Sequence, residues 1–333
     1  MRDYLQRLGV TSWRLRWEID YACRDDYGCT LEQTSAYAAL HHFLARGYDE
    51  DRPRPLLAWP DGNAELTRRM AARLGYIAAA PVDPHARVRT RAAVVSIDPD
   101  RGALRAVLRG EDPEDPGELV ELSARAILWA APRFVLPYVL TARGRDPLAG
   151  HRGPAMSYSP WLVASVELLD RPGGIGSPLA WDNVPVQRDN LGYVVATHGE
   201  DRSDTRPGAV VTYYEPLTAE TPAVATRRAE LLAGDLSRWS DHVVRQLAAM
   251  HPGIERQVTR VSVTRWGHAM IRPVPGLLFG DALARARAPI GVVRPCATDV
   301  TGLALFEQAF YSGVEAAEEA LARLGRGAAS MIP

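Results

Sequence analysis

Near the C-terminus, the run Ala297-Thr298-Asp299-Val300-Thr301-Gly302-Leu303-Ala304-Leu305 reads as strand, acidic turn and helix start. An acid at a strand end can hold a ribose or ribityl hydroxyl, and free amides at a following helix N-terminus favour negative charge nearby. Upstream, Trp266-Gly267-His268-Ala269-Met270-Ile271-Arg272-Pro273 offers an indole that can stack beside a substrate and an imidazole that can exchange a proton or hydrogen-bond it. Core packing accounts for Trp266 equally well, and a satisfied structural hydrogen bond is the commoner role for a histidine such as His268. Asp25 and Asp26 beside Tyr27 suggest an acid–base pair, but adjacent residues point different ways, so a capped, solvent-facing loop from Arg24 to Gly28 is expected. His41-His42 lacks the further ligands of a metal site and is expected on a helix surface. Trp181-Asp182-Asn183, Tyr193, His198 and Tyr213-Tyr214 concentrate aromatic and polar groups that either line a pocket or pack against strand neighbours.

Composition removes several chemistries. All 39 basic residues are arginine, so Schiff-base and P-loop lysine mechanisms are excluded, and any proton-abstracting base must be His, Asp, Glu, Tyr or water. A formal charge of −1 with scattered arginines gives no concentrated positive patch for nucleic acid. The three cysteines, Cys23, Cys29 and Cys296, lack CxxC spacing and are expected to be partly buried thiols. With no signal-peptide pattern after Met1 and no segment long enough to span a bilayer, a cytoplasmic location is expected.

The elements that must position these residues follow from periodicity. Residues 1 to 50 are mainly helical, a Pro-rich stretch runs from Arg52 to Pro60, and Ala64 to Leu74 resumes helical spacing, with Glu65, Arg68 and Arg69 on its polar face. Arg87 to Ile97 and Ala103 to Leu108 form a hairpin around Asp98-Pro99-Asp100-Arg101-Gly102, and Glu111 to Glu118 is an acidic loop. Ala126 to Pro132 has the continuous apolar pattern of a strand buried on both faces. Trp161 to Leu168, Leu191 to His198 and Ala209 to Tyr214 read as an antiparallel sheet, followed by a helix from Ala223 to Met250, a strand from Val258 to Trp266 and a helix from Leu303 to Leu324.

The run from Ala297 to Gly313 resembles the last FAD-binding motif of the flavin amine oxidase and phytoene desaturase families, and the order of other segments agrees. Leu57-Ala58-Trp59-Pro60-Asp61-Gly62-Asn63 looks like their Trp-Pro-Glu-Gly-Asn-type turn. Ala93-Val94-Val95-Ser96-Ile97 resembles the strand whose valine backbone meets adenine, and Ala130-Ala131-Pro132 the strand end that closes over the cofactor. The resemblance implies that Asp299 holds the ribityl chain, that Gly302 and the Leu305 amide approach the flavin, and that Val94 and Ala131 contact FAD. It places Trp266 and His268 near the reacting face.

It further implies an α/β (α+β) fold, in which an incomplete FAD-binding Rossmann-like layer is interleaved with an antiparallel-sheet-plus-helices substrate domain. Residues 1–75 supply the helical part of the substrate domain, 76–145 FAD-domain-like strands, 146–275 the substrate-domain sheet and helix, and 276–333 the C-terminal FAD-binding strand and helix. No strand–GxGxxG–helix element occurs among these residues, and Gly173-Gly174-Ile175-Gly176 reads as a turn. The resemblance thus covers the later part of the family's fold. A separate chain carrying the GxGxxG segment, or self-association, is expected, with a small organic substrate. Because many amine oxidases of this group place a lysine beside the flavin, dehydrogenation or isomerisation is expected instead of that form of amine oxidation, and a non-catalytic scaffold subunit is the rival.

Overall fold

The computed structural model describes the chain except for residues 46–58, 60–61, 76–86, 111, 113, 142–145, 150–155, 174–177, 187, 197–207, 328 and 333. Two compact units are each assembled from two separated stretches: unit 1 from Met1–Pro60 and Met156–Leu278, unit 2 from Asp61–Ala155 and Phe279–Pro333. Unit 1 opens with α1 (Arg2–Arg7), α2 (Trp13–Tyr27) and α3 (Ala36–Ala45), and α4 (Ala64–Arg73) opens unit 2. Unit 2 continues through β1 (Ala92–Asp98), β2 (Ala103–Leu108), β3 (Glu118–Ser123), β4 (Ile127–Trp129) and α5 (Leu136–Val139). Unit 1 resumes with β5 (Tyr158–Leu168), β6 (Asp182–Asn183), β7 (Tyr193–Val195), β8 (Ala209–Pro216), α6 (Val224–Ala233), α7 (Leu236–Met250) and β9 (Val258–Ile271). Unit 2 closes with α8 (Asp281–Arg287), β10 (Val293–Pro295) and α9 (Phe306–Arg323).

The sheet of unit 1 has five antiparallel strands in the order β6-β7-β8-β5-β9. Alternation along β5 sends Leu162, Ala164, Val166 and Leu168 to one face, where they meet Tyr193, Val211 and Tyr213 and the α6/α7 side chains Leu231, Trp239, Val243 and Leu247. Each such large side chain contributes about 1.5–3 kcal/mol on burial, so this face holds the unit's core. The single helix expected from Ala223 to Met250 is two helices. Asp235 accepts the Arg238 N–H at 2.8 Å and caps α7, and a Cβ on Gly234 would stand 2.4 Å from Trp239 Nε1, whose N–H donates to the Leu231 carbonyl.

The loop expected from Arg24 to Gly28 is instead the last turn of α2. Gly28 ends the helix in the left-handed conformation (φ 60°), with its N–H on the Arg24 carbonyl. Asp26 and Tyr27 therefore face inward: Asp26 is 7% exposed and 2.7 Å from His42 Nδ1, while the Tyr27 hydroxyl donates to the Ala38 carbonyl. This corrects both the solvent-facing reading of Asp26 and the surface reading of His42. The bond ties α2 to α3.

In unit 2, β1, β2 and β3 form an antiparallel meander, and β4 pairs in parallel with β10 through Ile127–Val293, Leu128–Arg294 and Trp129–Pro295. Ile97, Ile127, Trp129, Leu136, Leu140, Ile290 and Val293 form the core between them. On α4, Glu65 meets Arg68 and Arg69 at 2.9 and 2.8 Å, as a polar helix face would. All three cysteines are free and buried. Among the described residues no helix is long and apolar enough to cross a membrane.

Candidate functional site

The two parallel strands of unit 2 set the site, because ligands in α/β sheets bind outside the carboxyl ends of parallel strands. β4 ends in the exposed turn Ala130-Ala131-Pro132, after which Arg133 turns back into the interior. β10 ends at Pro295, the Cys296 N–H donates to the Trp129 carbonyl at 2.9 Å, and a short 3-10 turn over Thr298–Val300 follows. That turn delivers Asp299, 3% exposed, whose Oδ2 accepts the Arg133 main-chain N–H at 2.5 Å. Ala131 and Asp299 therefore share one end of the parallel pair.

Gly302 then reverses the chain with φ 81°, a region that disfavours a side chain, and is buried. Leu305 is the N-cap of α9 and its side chain supplies no cap hydrogen bond. The first main-chain bond into the helix comes from Ala309 N–H to the Leu305 carbonyl, so the amides of Phe306, Glu307 and Gln308 have no intrahelical acceptor. Ser312 and Ala316 are the buried residues of α9, and such small side chains let the helix lie close to β4. Asp299, Gly302 and Leu305 thus form one continuous turn with acceptor chemistry at its start and donor chemistry at its end.

Val94 lies apart from this turn in sequence, in β1. The β1–β2 register shifts between Val94 and Ser96, so Val95 is a bulge residue, half-exposed and outside the regular ladder. No glycine or proline marks it, and the sequence carried no signal for it. Of the Trp59 turn, Trp59, Gly62 and Asn63 fall within the described residues and the rest outside.

Trp266 and His268 belong to β9 of unit 1. Trp266 is directly opposite Trp161 on β5 and shares its face, the one away from the α6/α7 core, and is 55% exposed. Trp161 stacks on Tyr214 with ring centroids 6.4 Å apart and planes 2° from parallel. Tyr214 and Tyr21 both donate to the Asp182 carboxylate, at 3.0 and 2.8 Å. Burial and the neighbouring carboxylates raise both phenols above their ordinary range, so they stay protonated donors. Tyr21 and Trp161 were missed because neither stands in a motif. Tyr193 and Tyr213 face the opposite way, into the core, Trp181 is exposed, and His198 lies outside the described residues.

His268 sits edge-on to Tyr158 at 5.8 Å. Burial, aided by the positive charge of Arg228, lowers its pKa below the ordinary imidazole value, which keeps it neutral near pH 7. Arg228 is fixed nearby, donating to the Gly267 carbonyl at 2.6 Å and the Tyr158 carbonyl at 2.9 Å. Among the described residues no cluster of His, Cys, Asp and Glu could hold a metal ion.

In sequence, no family model and no curated protein matches the chain. In structure, cyclohexylamine oxidase from Brevibacterium oxydans IH-35A matches 95% of this chain at 12% identity with a TM-score of 0.56. A double mutant of putrescine oxidase matches 94% at 13% identity and 0.57, and reduced UDP-galactopyranose mutase 71% at 11% and 0.50. The chain spans 66%, 66% and 47% of those three proteins. Mixed helices and sheets in this order, over nearly the whole of this chain, give it the fold of the amine oxidase type of FAD-dependent oxidoreductase, across the part of that fold which it spans.

Proposed function

We propose that the chain is part of an FAD-dependent oxidoreductase that dehydrogenates or isomerises a small organic substrate. The observation that carries this reading is the buried Asp299 at the carboxyl end of a parallel strand pair, followed within one turn by a helix start whose amides lack intrahelical partners. The residues fit the cofactor chemically. A carboxylate accepts hydrogen bonds only, which suits the hydroxyls of a ribityl chain, and the amides of Phe306, Glu307 and Gln308 suit an electron-rich edge or a phosphate, whereas the Leu305 N–H already donates to the Leu303 carbonyl at 2.9 Å. The Val94–Ser96 bulge would lend backbone groups to the adenine, and the Ala131 turn would cover the cofactor at the end of β4.

FAD, when bound, supplies the acceptor for hydride. The chain's own part is to hold and orient. The exposed Trp266 ring, opposite the buried Trp161, would pack against an organic substrate, and neutral His268 would hydrogen-bond it or move a proton. The absence of lysine favours dehydrogenation or isomerisation over amine oxidation that uses a lysine beside the flavin. The fold alone does not select the reaction, since a mutase shares it with the two oxidases.

A GxGxxG strand–turn–helix, either elsewhere in a longer polypeptide or on a partner chain, would complete the pyrophosphate site. A second chain in that role should bury roughly 1,000 Å² or more. The test is Asp299→Ala in a flavin-loaded preparation. Loss of one hydrogen bond to a charged group is expected to weaken FAD binding by about 1.5–3 kcal/mol, roughly ten- to a hundredfold. Unchanged affinity would remove Asp299 from the site. A preparation that never takes up flavin would favour the non-catalytic subunit.

A further inference from the structure

We infer that the buried ion pair between Arg133 and Asp146 is a positioning device that sets the Asp299 carboxylate; the functional consequence rests on the flavin reading above, the mechanical one does not. Arg133 is 1% exposed although it follows the exposed turn Ala130-Ala131-Pro132. Its Nη1 and Nη2 donate to the two oxygens of Asp146, and its Nε donates to the Ala286 carbonyl of α8 at 3.2 Å. Asp146 is itself anchored, with Oδ1 accepting the Leu148 N–H at 3.0 Å and its carbonyl accepting the Ala149 N–H at 2.8 Å. The far side of the Asp299 turn is held separately, by Arg287 Nε on the Val300 carbonyl at 2.6 Å.

The donor to Asp299 is the main-chain N–H of Arg133, which no substitution at that position can delete. What the side chain controls is where that N–H stands. Pro132, which cannot donate, precedes it, so the Asp299 bond falls to a peptide whose orientation the guanidinium fixes. A two-pronged Arg–carboxylate pair locks orientation as well as position. Buried ion pairs often contribute no more stability than apolar residues of similar volume, so the geometry is a better account of this one than the stability of the core.

The experiment uses the whole chain with Arg133→Met/Asp146→Leu, which removes both charges together, and Arg133→Lys, which keeps the charge but loses the fork. Arg285→Ala, which removes an exposed pair with Asp281 on α8, is the control. Amide hydrogen exchange is read without flavin over peptides covering 132–135 and 298–305, and FAD affinity is read in the same variants with and without Asp299→Ala. We expect somewhat lower melting temperatures, because the Ala286 carbonyl and, in the double variant, the Leu148 N–H lose their partners, exchange about tenfold faster in both peptides, and FAD binding about tenfold weaker, with that weakening absent in the Asp299→Ala background, as for coupled contacts. Unchanged exchange at 298–305 in either variant would overturn the inference, as would an equal loss of affinity with and without Asp299. If the unsubstituted protein takes up no flavin, the flavin reading fails, and the exchange arm still decides the positioning claim.

Discussion

At the residue scale, His268 and Cys29 show burial setting protonation in opposite chemical senses. Burial and the Arg228 charge lower the His268 pKa, so the unfolded chain binds the proton more readily than the folded one. Stability from this residue is present above the unfolded imidazole value and is lost as pH falls through it towards the folded value. If His268 serves the substrate as a neutral base, the acid limb of kcat/KM should lie below the ordinary imidazole range and disappear in His268→Asn; an unmoved limb would assign it to another group. Cys29 is pushed up to about 11 because burial outweighs the adjacent Arg272 guanidinium, 3.2 Å away. It should resist alkylation in the native protein at pH 8 and react after denaturation, and fast native labelling would contradict the burial described here.

At the scale of elements, Arg272 joins segments distant in sequence. Its fully buried guanidinium donates to Cys29 Sγ, to Gln33 Oε1 at 3.1 Å and to the Ala219 carbonyl at 2.7 Å, linking the α2–α3 connection, the segment after β8 and the end of β9. Arg272→Met would strand those acceptors, and at about 1–3 kcal/mol for each buried group left unsatisfied, a loss above about 2 kcal/mol is expected in denaturant melts. Gly28→Ala should also destabilise, because its Cβ would stand 2.3 Å from Ser159 Oγ in a positive-φ position. Patterned elements were legible in the sequence: the β1–β2 hairpin from its turn residues and β-branched content, β4 from its continuous apolar run, the antiparallel sheet from extended segments between turn clusters, and α9 from its helical period. β3 was not, because most of its residues are exposed on both faces and Glu118, Glu121 and Ser123 give it the composition of a loop. The α2 terminus was misread because Asp25 and Asp26 look solvated until α3 supplies His42, a partner 16 residues away.

At the scale of the molecule, the fold was legible through the resemblance of the last strand–turn–helix segment, with its acid, glycine and small helix residues, to a known FAD-binding motif, and through the matching order of the other segments. The ion pair behind it was not legible, since Arg133 and Asp146 carry no motif and meet only in the folded chain. Of the aromatic face of unit 1, Tyr214 and Asp182 stood out in the sequence, whereas Tyr21 and Trp161, which come from two other elements, did not. The residues of the proposed function are divided between the two units, with the Asp299–Leu305 turn in unit 2 and Trp266 and His268 in unit 1. The most direct measurement is the visible absorption spectrum of the protein purified from its complete gene, alone and together with any partner bearing GxGxxG, followed by release and identification of the chromophore. The account predicts a flavin spectrum and released FAD, lost or weakened in Asp299→Ala. A colourless protein in both preparations, with no uptake of added FAD, would contradict it.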